Sequence, residues 1–181
     1  MLAAADALFA DADAPHTVSM DAIAAAAGVG KGTVFRAFGS RDGLLDALWV
    51  AKLTPLREAM EAGQAPLGPE APSRERIVAF LDALLTFKLD NRHLIRAREV
   101  ASAGVRQTEH YTWMQNLLQN LIEDAAPEAT AGDTEYAAHA LLAALHIDLI
   151  EELLATGRSP QAIRHAQAAL ARAVLDDTRR D

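Results

Sequence analysis

The feature that most restricts this chain is the spacing of its apolar residues, which nowhere alternate in the period-two, β-branched runs that mark a strand. Ala and Leu dominate instead, at intervals of three and four, and prolines and glycines cut the pattern into helical lengths. Ala4, Leu8 and Phe9 give a short first helix that stops before Pro15. Ser19 is placed to cap a second helix through Met20, Ile23, Ala24 and Ala27, and Gly28 to end it with positive φ. Gly28-Val29-Gly30 leaves room only for a tight turn. A third helix then covers about Lys31 to Phe38, with Val34 and Phe38 on its inward face.

After Gly39, Ser40 caps a fourth helix whose apolar stripe is Leu44, Leu45, Leu48 and Trp49. Pro55 removes a hydrogen bond inside it and predicts a kink or break near 51 to 55. Residues 63 to 72, GQAPLGPEAP, are the clearest loop, with three prolines and two glycines. Ser73 is expected to cap a helix to about Leu89, followed by helices over about 91 to 103 (stopped by Gly104), 108 to 125, and 134 to 156 (closed by Gly157). Ser159-Pro160 opens the last one, through Ile163, Ala166, Leu170 and Val174. The expected fold is all-α with about nine helices and no internal repeat.

A chain of 181 residues, 51% hydrophobic and 23% charged, can bury a core. The absence of cysteine removes disulfides, thiolate metal sites and a Cys nucleophile. Met1 to Ala10 lacks a basic leader and contains Asp6, and no apolar stretch reaches the roughly 18 residues of a spanning helix. The expectation is a soluble cytoplasmic protein that makes no membrane contact.

The formal net charge of -8 argues against nonspecific coating of nucleic acid. One segment reverses the sign: Val29 to Arg41 carries Lys31, Arg36 and Arg41 and no acid. A helix, a glycine turn and a short cationic helix form the pattern of a helix-turn-helix. The alanines at 24 to 27 allow close helix approach, and Gly30 leaves the next helix N-terminus open to an anion. Neither a P-loop nor a dinucleotide fingerprint fits the same glycines, because the required Ser/Thr and third glycine fall on Gly32 and Thr33.

The stretch SMDAIAAAAGVGKGTVFRAFGSRDGLLDAL resembles the helix-turn-helix of TetR/AcrR transcriptional regulators, over roughly residues 2 to 48. The resemblance implies a three-helix DNA-binding head, residues 1–46, followed by a helical ligand-binding and dimerisation domain, residues 47–181. Ser19, Gly30, Lys31, Gly32, Thr33, Phe35, Arg36, Ser40 and Arg41 are the candidate DNA-binding residues. The sequence departs from the family at Gly30, where a capping hydroxyl is common, at Phe35 in place of Tyr, and at Ala37 in place of a polar residue. All three departures imply weaker backbone affinity.

By the same resemblance the middle helices enclose a small-molecule effector, and the last two make a homodimer that presents two heads to a pseudo-palindromic operator in double-stranded DNA. Phe80, Leu84, Phe87, His93, Arg98, Trp113, Met114 and His146 are the candidate ligand contacts, with Glu99 and Tyr111 as further polar groups; the apolar ones are equally well spaced as plain core. Leu141, Leu142, Leu145, Leu149, Ile163, Leu170 and Val174 are the candidate dimer contacts. No cofactor or metal is expected: His139 and His146 stand about 10.5 Å apart along a helix at about 1.5 Å per residue, too far to share an ion. The expected function is a ligand-released repressor, not an enzyme. A small-molecule binder that has lost DNA competence, and a helical enzyme, are the rival classes.

Overall fold

The computed structural model describes residues 1–99 and 109–177, with the side chains of Arg98, Glu99 and Asp177 excepted. Among the described residues there is no strand, and ten α-helices follow one another: α1 (Leu2–Asp11), α2 (Met20–Ala26), α3 (Lys31–Phe38), α4 (Arg41–Ala62), α5 (Ser73–Asp90), α6 (Arg92–Glu99), α7 (Glu109–Ala125), α8 (Ala131–Ala143), α9 (Ile147–Ala155) and α10 (Pro160–Asp177). A 3-10 turn, Pro15–Thr17, lies between α1 and α2. The chain divides into two compact units, one made of residues 1–55 and the segment from Asp90 that includes α6, the other of residues 56–89 and the chain from α7 onward.

In the first unit the caps fall where the sequence puts them. The Ala22 amide donates to Ser19 Oγ at 3.2 Å, and the Gly43 amide to Ser40 Oγ at 3.0 Å. Helix α2 ends in a Schellman motif: Gly28 has φ +66°, its amide bonds Ala25 O at 3.1 Å, and the Val29 amide bonds Ala24 O at 3.0 Å. Only a residue without Cβ takes that φ cheaply, so Gly28 sets the angle at which α3 leaves α2. Ala5 and Phe9 of α1, Met20, Ile23 and Ala24 of α2, Val34 of α3, and Leu44, Leu45 and Leu48 of α4 share one core with Leu94 and Ala97 of α6. Fully burying a side chain the size of Phe9 or Leu44 stabilises by about 1.5–3 kcal/mol.

Helix α6 is the departure from the expected boundary at 46. It packs on α1 and on the 3-10 turn, so the first unit takes a helix from far downstream. No stretch near 91 to 99 signals this, because its apolar residues look the same whichever core receives them. The unit boundary near 55 falls inside α4, which is not broken at Pro55. Leu53 and Met60, on either side of the proline, are both buried. Packing on both sides of the proline outweighs the hydrogen bond it removes.

The second unit is built on the stripe Ile77, Phe80, Leu81, Leu84 and Leu85 of α5, all buried. Helices α7 and α8 pair closely, and α10 packs on α8 and α9. Arg76 holds the 63–72 loop, donating to Leu67 O at 3.0 Å and Met60 O at 2.7 Å. Helix α5 starts on the carbonyl of Pro72, which accepts from the amides of Glu75 and Arg76, so Ser73 is its first residue and not its cap. Ser159 does cap α10, through the Ala162 amide at 3.1 Å.

The single helix expected over 134 to 156 is two. Helix α8 closes at Ala144, and His146, with extended backbone, opens α9. The break buries Leu145 completely, and the Lys88 ammonium donates to the Leu145 carbonyl at 2.6 Å. Tertiary packing and a lysine from α5 outweigh local helix propensity here. With this division the count becomes ten instead of about nine.

Candidate nucleic-acid interface

Helix α3 buries one edge and offers the rest. Val34 is fully buried and Phe38 partly so, whereas Lys31, Gly32, Thr33, Phe35, Arg36 and Ala37 are exposed. Gly30 is its N-cap, and no side chain caps it; the space beside Gly32 is open. Uncapped amides and the positive end of the helix dipole therefore face solvent together with the cations.

The cations of the segment have three different settings. The Lys31 ammonium lies 2.8 Å from Asp21 Oδ1, on the first turn of α2, and 5.7 Å from the centre of the Phe35 ring. Arg36 forms no ion pair or hydrogen bond with any described residue, and neither does the Thr33 side chain. Arg41 is turned the other way. It is half-buried, and its guanidinium donates to Pro15 O at 3.0 Å, Val18 O at 3.2 Å and Ala97 O at 3.1 Å, with the Phe9 ring centre 5.5 Å away. Arg41, one of the candidate DNA-binding residues, thus spends its fork on carbonyls of its own unit. Ser19 and Ser40 remain exposed while acting as caps. Asp21 is the residue that the sequence reading passed over; it is remote from Lys31 along the chain, and only the helix-helix crossing brings them together.

The candidate ligand contacts do not form one group. Phe80 and Leu84 are fully buried, Phe87 and Met114 nearly so, and Trp113 meets Phe80 edge-on at 5.9 Å with the Arg57 guanidinium 5.3 Å from its ring centre. His93 belongs to the first unit, where its Nε2 lies 3.1 Å from Asp6 Oδ1. Burial alone would raise the Asp6 carboxyl, but the hydrogen bonds and charges of Lys52 and His93 outweigh it and hold it below the usual value. His146 is exposed at the start of α9, 3.3 Å from Asp148. Arg98 and Glu99 lie outside the described side chains.

Tyr111 Oη and His139 Nδ1, on α7 and α8, are 2.7 Å apart with stacked rings, a pairing that no local spacing announces. An open groove of about 560 Å³ in the second unit is lined by Arg74, Val78, Asp82, Arg172 and Leu175 among others, and by none of the expected ligand contacts.

The candidate dimer contacts divide as sharply. Leu141, Leu142, Leu145 and Ile163 are buried within the single chain, so they have no surface left to give a partner. They are corrected to core. Leu149 and Leu170 are 40% and 41% exposed, Val174 is half-buried, and Tyr136 is also exposed. Among the described residues no group of three or more His, Asp or Glu could hold a metal ion, and no helix is long and apolar enough to cross a membrane.

Residues 1–48 match the family model of the bacterial regulatory proteins of the tetR family. Over 97% of this chain and 93% of the other, the fold is similar to the crystal structure of a TetR-like transcriptional regulator from Rhodococcus sp. RHA1, with 27% sequence identity and a TM-score of 0.63. No curated protein matches the sequence significantly.

Proposed function

We propose, from the premise that this chain is a TetR-family regulator whose residues 1–48 carry the family's DNA-binding domain, that it acts as a homodimeric repressor on a pseudo-palindromic operator and is released by a small ligand. The observation that carries the reading is the exposure of α3, whose Lys31, Thr33 and Arg36 are open to solvent while Val34 is buried. Such a helix suits the major groove, with its N-terminal residues toward base edges and its cations toward phosphates. Twofold symmetry doubles the cationic surface, and screening beyond about 8–10 Å lets it act despite the acidic remainder. The exposed apolar residues of α8 to α10, Tyr136, Leu149 and Leu170, are the proposed dimer surface. A ligand that favours one arrangement of the second unit's helices would shift the two heads away from the roughly 34–36 Å repeat of DNA.

Selection of duplexes from a random library with purified protein tests this reading. Recovery of a two-fold related motif is expected, and Lys31→Ala or Arg36→Ala should each reduce the salt slope of binding by about one. Thr33→Ala should mainly relax sequence preference. Failure to enrich any duplex would leave the second reading, a ligand binder without DNA competence, which the engagement of Lys31 by Asp21 favours.

A further inference from the structure

The structure assigns Arg41 a positioning role: it orients the reading helix by clamping the head's own backbone, and does not contact DNA phosphate. The inference rests on α3 being the reading helix. Arg41 is the first residue of α4, joined to the end of α3 at Phe38 by Gly39 and Ser40 alone. Wherever the start of α4 is fixed, the C-terminal end of α3 is fixed with it.

A cation at a helix N-terminus opposes the helix dipole and needs an acceptor. Three carbonyls supply it here, from three places in the chain: Pro15 in the 3-10 turn, Val18 before α2, and Ala97 in α6. The Phe9 ring of α1 flanks the same guanidinium. One planar fork thus ties α4 to α1, to the entry of α2 and to α6. An ammonium could not do so, because it is a compact point charge on a flexible stem without the fixed geometry of a guanidinium. The contact with Ala97 also makes α6 part of the device that holds α3.

The test compares full-length wild type, Arg41→Lys, Arg41→Gln and Arg36→Ala. Each is titrated against a mixed-sequence 30-base-pair duplex, and against a duplex selected with the wild type, from low to high salt at a temperature where circular dichroism shows every variant folded. Arg41→Lys and Arg41→Gln are both expected to bind the selected duplex roughly tenfold more weakly, with an unchanged salt slope and a reduced preference over the mixed sequence. Arg36→Ala should lose about one unit of slope. Hydrogen exchange should quicken in the segments around Pro15, Val18 and Ala97 in both Arg41 variants.

A slope reduced by about one in Arg41→Gln and restored in Arg41→Lys would mean a phosphate contact and overturn the assignment. Lower thermal stability with unchanged affinity and preference would overturn it as well. Should the wild type bind no duplex, the reading of α3 fails separately. Exchange then decides the clamp: quickening in the Arg41 variants supports it, and wild-type protection refutes it.

Discussion

Lys31 and Asp21, from the first turns of adjacent helices, form an ion pair on the surface that α3 offers, with Nζ 2.8 Å from Oδ1. Both are exposed, so the pair itself contributes little to stability, about 0–1 kcal/mol. Its effect is on binding: a phosphate must compete with a carboxylate already in place. Asp21→Asn is expected to strengthen binding to a mixed-sequence duplex severalfold and to steepen the salt slope by up to about one. Anisotropy titrations at several salt concentrations check this, and an unaltered slope would count against any competition.

Asp6 meets Lys52 of α4 and His93 of α6, and its carboxyl titrates below the usual range because those two partners outweigh its partial burial. A carboxyl whose pKa is lowered by folding stabilises fully above its unfolded value, about 3.9, and loses that contribution as the pH drops through the folded value. Asp6→Asn should therefore cost on the order of 1 kcal/mol at neutral pH. The difference from wild type should shrink in acid. Thermal melts from pH 7 downward measure it, and a gap that persists at the acid end contradicts the linkage.

A Cβ on Gly43 would stand 2.2 Å from the carbonyl oxygen of Phe38, far inside contact distance. Gly43→Ala should force α4 away from the end of α3 and destabilise by about 1–3 kcal/mol, the usual cost of overpacking. Urea unfolding reads the loss directly. DNA affinity should fall in the same variant, since α3 is displaced with the turn.

Leu141 and Leu149 lie close in sequence and should behave oppositely. Leu141 is fully buried in the single chain, so Leu141→Ala should cost about 2–5 kcal/mol of folding stability. Leu149→Glu and Leu170→Glu act on exposed positions. They should leave the fold intact and lower the apparent mass in sedimentation equilibrium. A wild type that is monomeric at all concentrations would remove the proposed dimer surface.

The head was legible because its signals are local. Ser19, Gly28, Ser40 and the Val34–Phe38 pair each act within a turn or two of their own position, and each does in the structure what its chemistry requires. Residues whose role depends on distant chain were read less well. Arg41 has the composition of a phosphate ligand and the surroundings of an internal clamp, a distinction that only Pro15 and Ala97 can make. Leu141, Leu142 and Leu145 carry an apolar pattern that serves a core as readily as an interface. The interruption at Ala144 to His146 has no proline or glycine to announce it and is compensated by Lys88.

The descent of α6 into the first unit bears on how such proteins could exchange specificities. A single genetic crossover after Pro55 would move Arg41 and α3 onto a foreign body while leaving behind the backbone at Ala97 to which Arg41 donates. Grafts that carry residues 90–99 along with 1–55 should keep the donor's operator preference, whereas shorter grafts should bind with blurred selectivity.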